Sequence, residues 1–267
     1  MRLSSSRSLA RSPIVQVLLY ASFVGAVIWF TYEGAVATGY RWDWHRVPGY
    51  LLEIRDGTAV PGRLIDGLMV TLKITFWSFL LMVVFGLSAA LLGRSPSLIG
   101  RWLARAYVEL IRNTPLLVQL YVAYFVLAPI FGIDRTVCAV LTLAAFEGAY
   151  AAEIFRAGLD GVAKGQWEAS SSLGLGTVDS YRFVLLPQAV RSILPPLTGQ
   201  TVSLIKDSSI VSVIAVYDLT TEARDAIADS FLTFEIWLTV AAIYLVMTVS
   251  LSLAVTSLER RLARAYG

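Results

Sequence analysis

The sequence predicts an all-α, polytopic membrane protein of about six transmembrane helices with both termini on the inner side. Three observations carry that prediction. Of the 267 residues, 57% are hydrophobic and only 15% charged, whereas a soluble domain holds about 25% charge; the chain lacks the polar surface to cover a water-facing core. Its apolar residues gather into stretches of membrane-crossing length. Its basic residues fall mainly on one side of those stretches.

A crossing helix needs roughly 20 apolar residues, each rising ~1.5 Å, to pass ~30 Å of hydrocarbon. The first such stretch is 14–30. Arg2, Arg7 and Arg11 precede it as they would a cleavable signal peptide. The run is longer than a usual signal core, however, so a retained helix is expected. The outer stretch 32–66 contains Pro48, Pro61 and several glycines, and reads as loop with a short surface helix. Segments 67–92, 106–131, 137–159 and 234–258 are further apolar spans, and Pro115 is expected to kink or unwind the third span. Segment 195–216 is the least hydrophobic, interrupted by Ser, Thr, Lys206 and Asp207. It is expected to face protein or a pathway rather than lipid.

Charge placement orients the chain. With the amino terminus inside, segments 1–13, 93–105, 156–192 and 259–267 hold thirteen Lys or Arg, and the outer segments 32–66, 132–136 and 217–235 hold six. Lys and Arg favour the cytoplasmic side while acids weigh little, so both termini are placed inside. The last outer segment sets Asp218, Glu222, Asp225, Asp229 and Glu235 against Arg224 alone. Trp29, Trp42, Trp44, Trp102 and Trp237 lie near span ends, as interfacial indoles do; Trp77 falls within the second span. The net charge of +3 thus reflects topology rather than a nucleic-acid partner. The single cysteine, Cys138, excludes an internal disulfide and reads as a packing residue. The single histidine, His45, excludes a poly-histidine metal site and reads as an outer surface residue.

One inner segment differs from the rest. Residues 159–192 combine a charged turn at Lys164 and Gly165, a helical patch over 166–173, a glycine-rich break at 174–176, and a second patch from Val178 that should stop at Pro187. Thr177 is a plausible cap for that second patch. Two short amphipathic helices can lie in the interface plane. Alternatively they dock into a groove on a cytoplasmic partner, with Trp167, Leu173 and Leu175 as apolar anchors inside a charged rim.

The order of motifs resembles the membrane-spanning permease subunits of binding-protein-dependent ABC importers, in the polar amino acid subfamily that handles histidine, glutamate, glutamine, arginine and opines. The inner loop carries Glu168-Ala169-Ser170, then Gly174, then Leu186-Pro187, departing from the family's Glu-Ala-Ala only in a small-for-small change at Ser170. Subfamily features follow the same order: Glu109, Arg112, Pro115 and Gln119; Gly148 and Tyr150 with Glu153 and Arg156; Lys164-Gly165-Gln166; Pro187-Gln188-Ala189; Lys206-Asp207-Ser208-Ser209. The resemblance covers about residues 63–264, a five-helix core of the type I importer fold, with 1–62 as an added amino-terminal helix and extracytoplasmic loop. It implies assembly with two ATPase subunits, a second permease (the same or a homologous chain) and an extracytoplasmic amino acid-binding protein, in the cell membrane of a prokaryote (the inner membrane in a Gram-negative cell). Loop 159–188 would then be the coupling element, with Lys164, Gln166, Trp167, Glu168, Ala169, Gly174 and Pro187 as its working residues. The chain has no G-x-x-x-x-G-K-[ST] loop and no acidic metal-holding strand, so it is expected to be non-catalytic, with ATP and Mg bound by the partner ATPase.

Ionisable residues inside spans are costly and either pair or line a cavity. Glu109 and Arg112 can pair on one helix face, or touch a partner or the loop. Pro115 and Gln119 mark a moving region. Glu153 and Arg156 are expected to steady the junction with the inner loop. Glu147, Tyr150, Thr201, Ser203, Lys206 and Asp207 form either a buried cross-helix network or a pathway for a zwitterionic solute, which wants one acid, one base and hydroxyls. The solute expected is glutamate, aspartate or glutamine, moved by alternating access. A secondary transporter would bring inverted repeats, and none is visible. A non-transporting assembly subunit would tolerate apolar residues at both Glu147 and Lys206. An intramembrane enzyme lacks any catalytic constellation.

Overall fold

The computed structural model describes residues 13–37, 39–55 and 57–265, so Arg2, Arg7 and Arg11 lie outside the described residues. The chain divides into two compact units, Met1–Trp44 and His45–Gly267. In the first, helix α1 (Pro13–Ala37) is apolar around its whole circumference, with Phe23, Trp29 and Phe30 exposed. A helix without a polar face suits lipid on all sides. Beyond it, Tyr40 meets Trp42 edge-on at 5.3 Å and Trp42 stacks on Trp44 at 5.9 Å.

The second unit opens with a short helix, Pro48–Leu51, and an antiparallel hairpin of β1 (Leu52–Arg55) and β2 (Thr58–Pro61). The hairpin corrects the expectation of loop with one short helix; Gly57, at φ 77°, makes the reversal. Its base is tied to the helical core, since Gly62 N–H donates to Leu51 O at 2.9 Å and Tyr50 and Leu51 pack beside Leu64 and Leu219. The second compact unit begins at His45.

The helices that follow are α2 (Arg63–Arg94), α3 (Leu98–Arg112), α4 (Leu116–Phe131), α5 (Arg135–Asp160), α6 (Lys164–Ser172), α7 (177–207), α8 (Leu219–Ser230) and α9 (Thr233–Ala265). Among the described residues four, α1, α2, α5 and α9, are long and apolar enough to cross a membrane. Helices α3 and α4 qualify only as a joint span, bent by 107°. The expected span 195–216 is helical to Asp207 and 3-10 over Ser208–Ile214, but α7 is not apolar enough to qualify. Its polar residues set it apart, as they did in the sequence.

Small residues hold α2 on α5. Thr71, Thr75, Ser78, Gly86 and Ala89 recur along the buried face of α2, and Thr142, Gly148, Ala151 and Ala152 along that of α5. A Cβ on Gly86 would stand 2.8 Å from Ala151 Cβ, and one on Gly148 would stand 3.0 Å from Phe85 Cβ and 3.4 Å from Met82 O. Backbones this close gain dispersion contacts that lipid cannot replace. The larger side chains of the core, Ile74, Met82, Leu143, Phe155, Leu185 and Leu204, fill the space beside this seam.

The second patch of the inner loop does not end at Pro187. Helix α7 runs through it, because residues Ser180–Leu185 are wound as a π-helix in which Leu186 N–H reaches back to Tyr181 O. The wider turn absorbs the carbonyl that the proline ring would strike and needs no N–H from residue 187. The same device precedes Pro129: π-residues Ala123–Leu127 end with Ala128 N–H donating to Ala123 O.

On the outer side, Asp218 is fully buried and caps α8, accepting from Thr220 N (3.2 Å), Thr221 N (3.0 Å) and Thr221 Oγ1 (2.9 Å). Burial raises its carboxyl above the ordinary value of 3.8, against the pull of these hydrogen bonds. A carboxyl held above its unfolded value contributes stability that is full below that value and is lost as pH rises through the folded one.

Two outcomes follow from this packing. Gly86→Leu should lower the detergent melting temperature and the monodisperse fraction, an overpacking cost of about 1–3 kcal/mol; an unchanged melt would refute the seam. Asp218→Asn keeps a cap acceptor and removes the ionisation, so melting temperature should fall less than in the parent as pH is raised above about 4. Parallel curves would show that this carboxyl does not set the slope.

Candidate functional site

The site is built around interruptions in otherwise regular helices. The first separates α3 from α4. Pro115 stands at the N-cap of α4, and the carbonyls left open at the end of α3 are taken by side chains. Gln119 Nε2 donates to Ile111 O (2.8 Å), Thr114 O (3.1 Å) and Thr114 Oγ1 (2.7 Å). Asn113 Nδ2 donates to Glu109 O (2.7 Å) and Thr114 Oγ1 to Leu110 O (2.9 Å). Backbone freed inside a bilayer must find such partners. The run Asn113-Thr114-Pro115 with Gln119 is thus a self-satisfied corner.

Glu109 and Arg112 do not form the pair their spacing allowed. Glu109 accepts from Asn113 Nδ2 at 3.1 Å, and the Arg112 guanidinium lies 5.2 Å from the centre of the Tyr150 ring. At the inner end of α5, Arg156 pairs with Glu153 (2.6 Å) and Asp160 (3.4 Å), and Asp160 also pairs with Arg94 of α2. These groups join the ends of both helices at the start of the inner loop.

In that loop α6 begins at Lys164, slightly before the expected patch, and is closed by Gly174 at φ 72°. Gly174 N–H donates to Ser171 O (3.0 Å) and Leu175 N–H to Ser170 O (3.1 Å), the two bonds of a Schellman cap. Ser170, the departure from the family's alanine, is buried with its hydroxyl on Trp167 O at 2.8 Å, so the added oxygen is satisfied. Thr177 is not the cap of the next helix; Gly176 occupies that position and no side chain bonds there.

Trp167 also departs from expectation. It is half-buried rather than offered to a partner, edge-on to Tyr181 at 5.1 Å with Arg94 at 5.8 Å over its ring. Gln166 accepts from Gln188 Nε2 at 3.2 Å. The outer surface of α6 is left to Lys164, Glu168, Ala169 and Ser172, with Leu173 beyond it 78% exposed. One face of this short helix is bound to α2 and α7 and the other is free.

Higher on α7, Gln200 Nε2 donates to Glu147 Oε2 of α5; Glu147 is fully buried and its Oε1 has no hydrogen-bond partner among the described residues. Lys206 and Asp207 lie within electrostatic reach of this carboxyl, Lys206 exposed and Asp207 half-buried. Tyr150 sits instead with Arg112 and Phe146. Thr201 turns its hydroxyl back to Leu197 O at 2.9 Å, and Ser203 is half-buried. Gln200 was missed in the sequence; its signal was a carboxamide in the least apolar span. Cys138 is buried. Among the described residues no cluster of His, Cys, Asp or Glu could hold a metal.

The family model described as "binding-protein-dependent transport system inner membrane component" matches residues 82–264. The glutamine transport system permease protein of Escherichia coli (strain K12) is 40% identical over 197 residues, covering 71% of this chain and 90% of that one. The L-cystine transport system permease protein of Bacillus subtilis (strain 168) is 38% identical over 222 residues, 78% of this chain and 94% of its own. A solved structure described as an amino acid ABC transporter with histidines superposes with a TM-score of 0.69 at 41% identity, covering 74% of this chain and 94% of that one.

Gln119→Leu should strand the carbonyls of Ile111 and Thr114 at the corner. The expected cost is about 1–3 kcal/mol, read as a lower melting temperature and faster proteolysis near 113–115. Gln119→Glu, which keeps the shape but loses the donors, should behave like the leucine variant; parent-like behaviour of both would reject the clamp.

Proposed function

Because this chain belongs to the family of binding-protein-dependent transport system inner membrane components, the permease subunits of ABC importers, we propose that it forms half of a transmembrane pathway for a polar amino acid. An extracytoplasmic binding protein delivers the solute. Two ATPase subunits, binding ATP and Mg, drive the cycle, and a second permease, the same or a homologous chain, supplies the other half. Relatives bearing glutamine in their names, at 40% identity, support glutamine or the related glutamate and aspartate; the cystine-named relative at 38% keeps the class to polar amino acids.

One observation carries the proposal: the free and the bound faces of α6 lie at one end of the helix that carries the polar cluster. Glu168, Ala169, Ser172 and Leu173 face outward for an ATPase groove, while Trp167 grips Tyr181 at the beginning of α7. Moving a docked α6 therefore moves α7, and with it the Gln200 amide on Glu147 and the Lys206–Asp207 pair beyond. Lys206 and the acids offer a cation and an anion to a zwitterion, with Ser203 beside them. The π-turn and the corner at Pro115 are where the helices yield. ATP and loaded binding protein must favour the outward-open state over the inward-open one, since only differential binding shifts the equilibrium.

In liposomes, solute uptake should require ATP, the ATPase and the binding protein together; uptake driven by an ion gradient alone would sink the assignment. Glu168→Leu should weaken co-purification of the ATPase and leave membrane insertion intact. Parent-like attachment and transport would reject the coupling role.

A further inference from the structure

Helix α3 carries three stripes. Gly100, Ala104 and Val108 are buried against α2 and α5. Leu98, Ile99, Trp102, Leu103 and Leu110 are exposed, each by more than half of its surface. Between them run Arg101, Arg105, Glu109 and Arg112, which line a cavity of about 350 Å³ together with Glu153 and Arg156 of α5. That volume falls in the range of small-molecule sites, roughly 300–1,000 Å³. Gly93, at the end of α2, also lines it. Arg94, the next residue, touches both Asp160 and Trp167, so the cavity opens on the same side as α6, the side rich in Lys and Arg.

Four guanidiniums face two carboxylates here, and both carboxylates are already engaged. Glu153 is paired with Arg156 and Glu109 accepts from Asn113. Arg112 lies over Tyr150, and Arg101 uses Nη1 on Ser95 O (2.8 Å) and Pro96 O (3.0 Å). A guanidinium has five donors, so most of Arg101 remains available. Arg105 makes no hydrogen bond or ion pair among the described residues. The cavity therefore holds surplus positive charge with unspent donors, the chemistry of a phosphate site. A second hollow, of about 450 Å³, is lined by Leu98, Ile99 and Trp102 and shares Arg101 and Arg105 with the first. An anionic cavity ligand would thus lie beside an exposed apolar surface on the same helix.

We propose that Arg101 and Arg105 bind the phosphate of an anionic phospholipid of the inner leaflet, the polar cavity taking the headgroup and the hollow beside Trp102 taking the glycerol and the first acyl carbons. Basic pockets between helices on the cytoplasmic side are suited to such headgroups. A helix with basic and apolar stripes lies naturally in the interface. The bound lipid pins α3 at the surface, which fixes one arm of the corner at Pro115.

Full-length protein is stripped of lipid in detergent and titrated with phosphatidylglycerol or phosphatidylcholine, and bound lipid is counted by native mass spectrometry. Phosphatidylglycerol should bind more tightly than phosphatidylcholine. Near a membrane surface each basic residue contributes about fivefold, so R105Q should weaken phosphatidylglycerol about fivefold and R101Q with R105Q about thirtyfold. R105K should retain parent affinity within about threefold, and R182Q, on the inner loop, should match the parent. Equal binding of the two lipids, undiminished phosphatidylglycerol binding in a folded R101Q/R105Q variant, or displacement of the lipid by millimolar inorganic phosphate would each overturn the proposal.

Discussion

The contact between α2 and α5 is the constraint on which the rest of the second unit depends. In water, two helices associate because apolar faces leave solvent; in lipid that drive is absent, and close packing must replace it. Gly86 against Ala151 and Gly148 against Phe85 and Met82 bring the backbones near enough for that. Once the pair is set, α5 presents Glu147 to α7, its inner end meets Arg94, and the cavity beside α3 is walled by Ala89, Ala90 and Ala152. Larger residues along this seam would separate all three features together.

A second constraint shapes the moving parts. A polar backbone group in hydrocarbon needs a partner, so a helix can be interrupted only where something replaces the lost bond. Three solutions occur side by side. At 113–115 the partners are side chains, chiefly Gln119 and Asn113. Before Pro129 and Pro187 the helix widens into π-turns. At the end of α6 a glycine in the left-handed region closes a Schellman cap. Each solution leaves a segment whose geometry differs from that of its neighbours.

Much of this was legible in the sequence for a definite reason. Long apolar runs have few alternatives, so α2 and α5 were predicted within four residues at each end, α1 and α9 each run seven residues past the expected end, and the broken third span followed from Pro115. The glycine-rich end of α6 was likewise visible, since only glycine takes that conformation easily. Pairings were harder. Glu109 with Arg112 was a sound choice by spacing, yet each found a nearer partner off its own face, in Asn113 and Tyr150. Pro187 misled because the chemistry that rescues it, a π-turn over Ser180–Leu185, has no residue signature of its own.

The sequence alone determined that this chain is a polytopic membrane protein, where its long apolar helices lie and that its third span breaks at Pro115, because those properties depend on composition and on local backbone chemistry. Tertiary structure alone decided which face of α6 is free, since Trp167 turns toward Tyr181 and Arg94 rather than outward. It likewise decided that Gln200 meets Glu147 and that two arginines of α3 border both a polar cavity and an apolar hollow. The physical reason is common to all three. A side chain's partner in an apolar medium is whichever polar or aromatic group the helix packing brings near, and that proximity is a property of the whole fold.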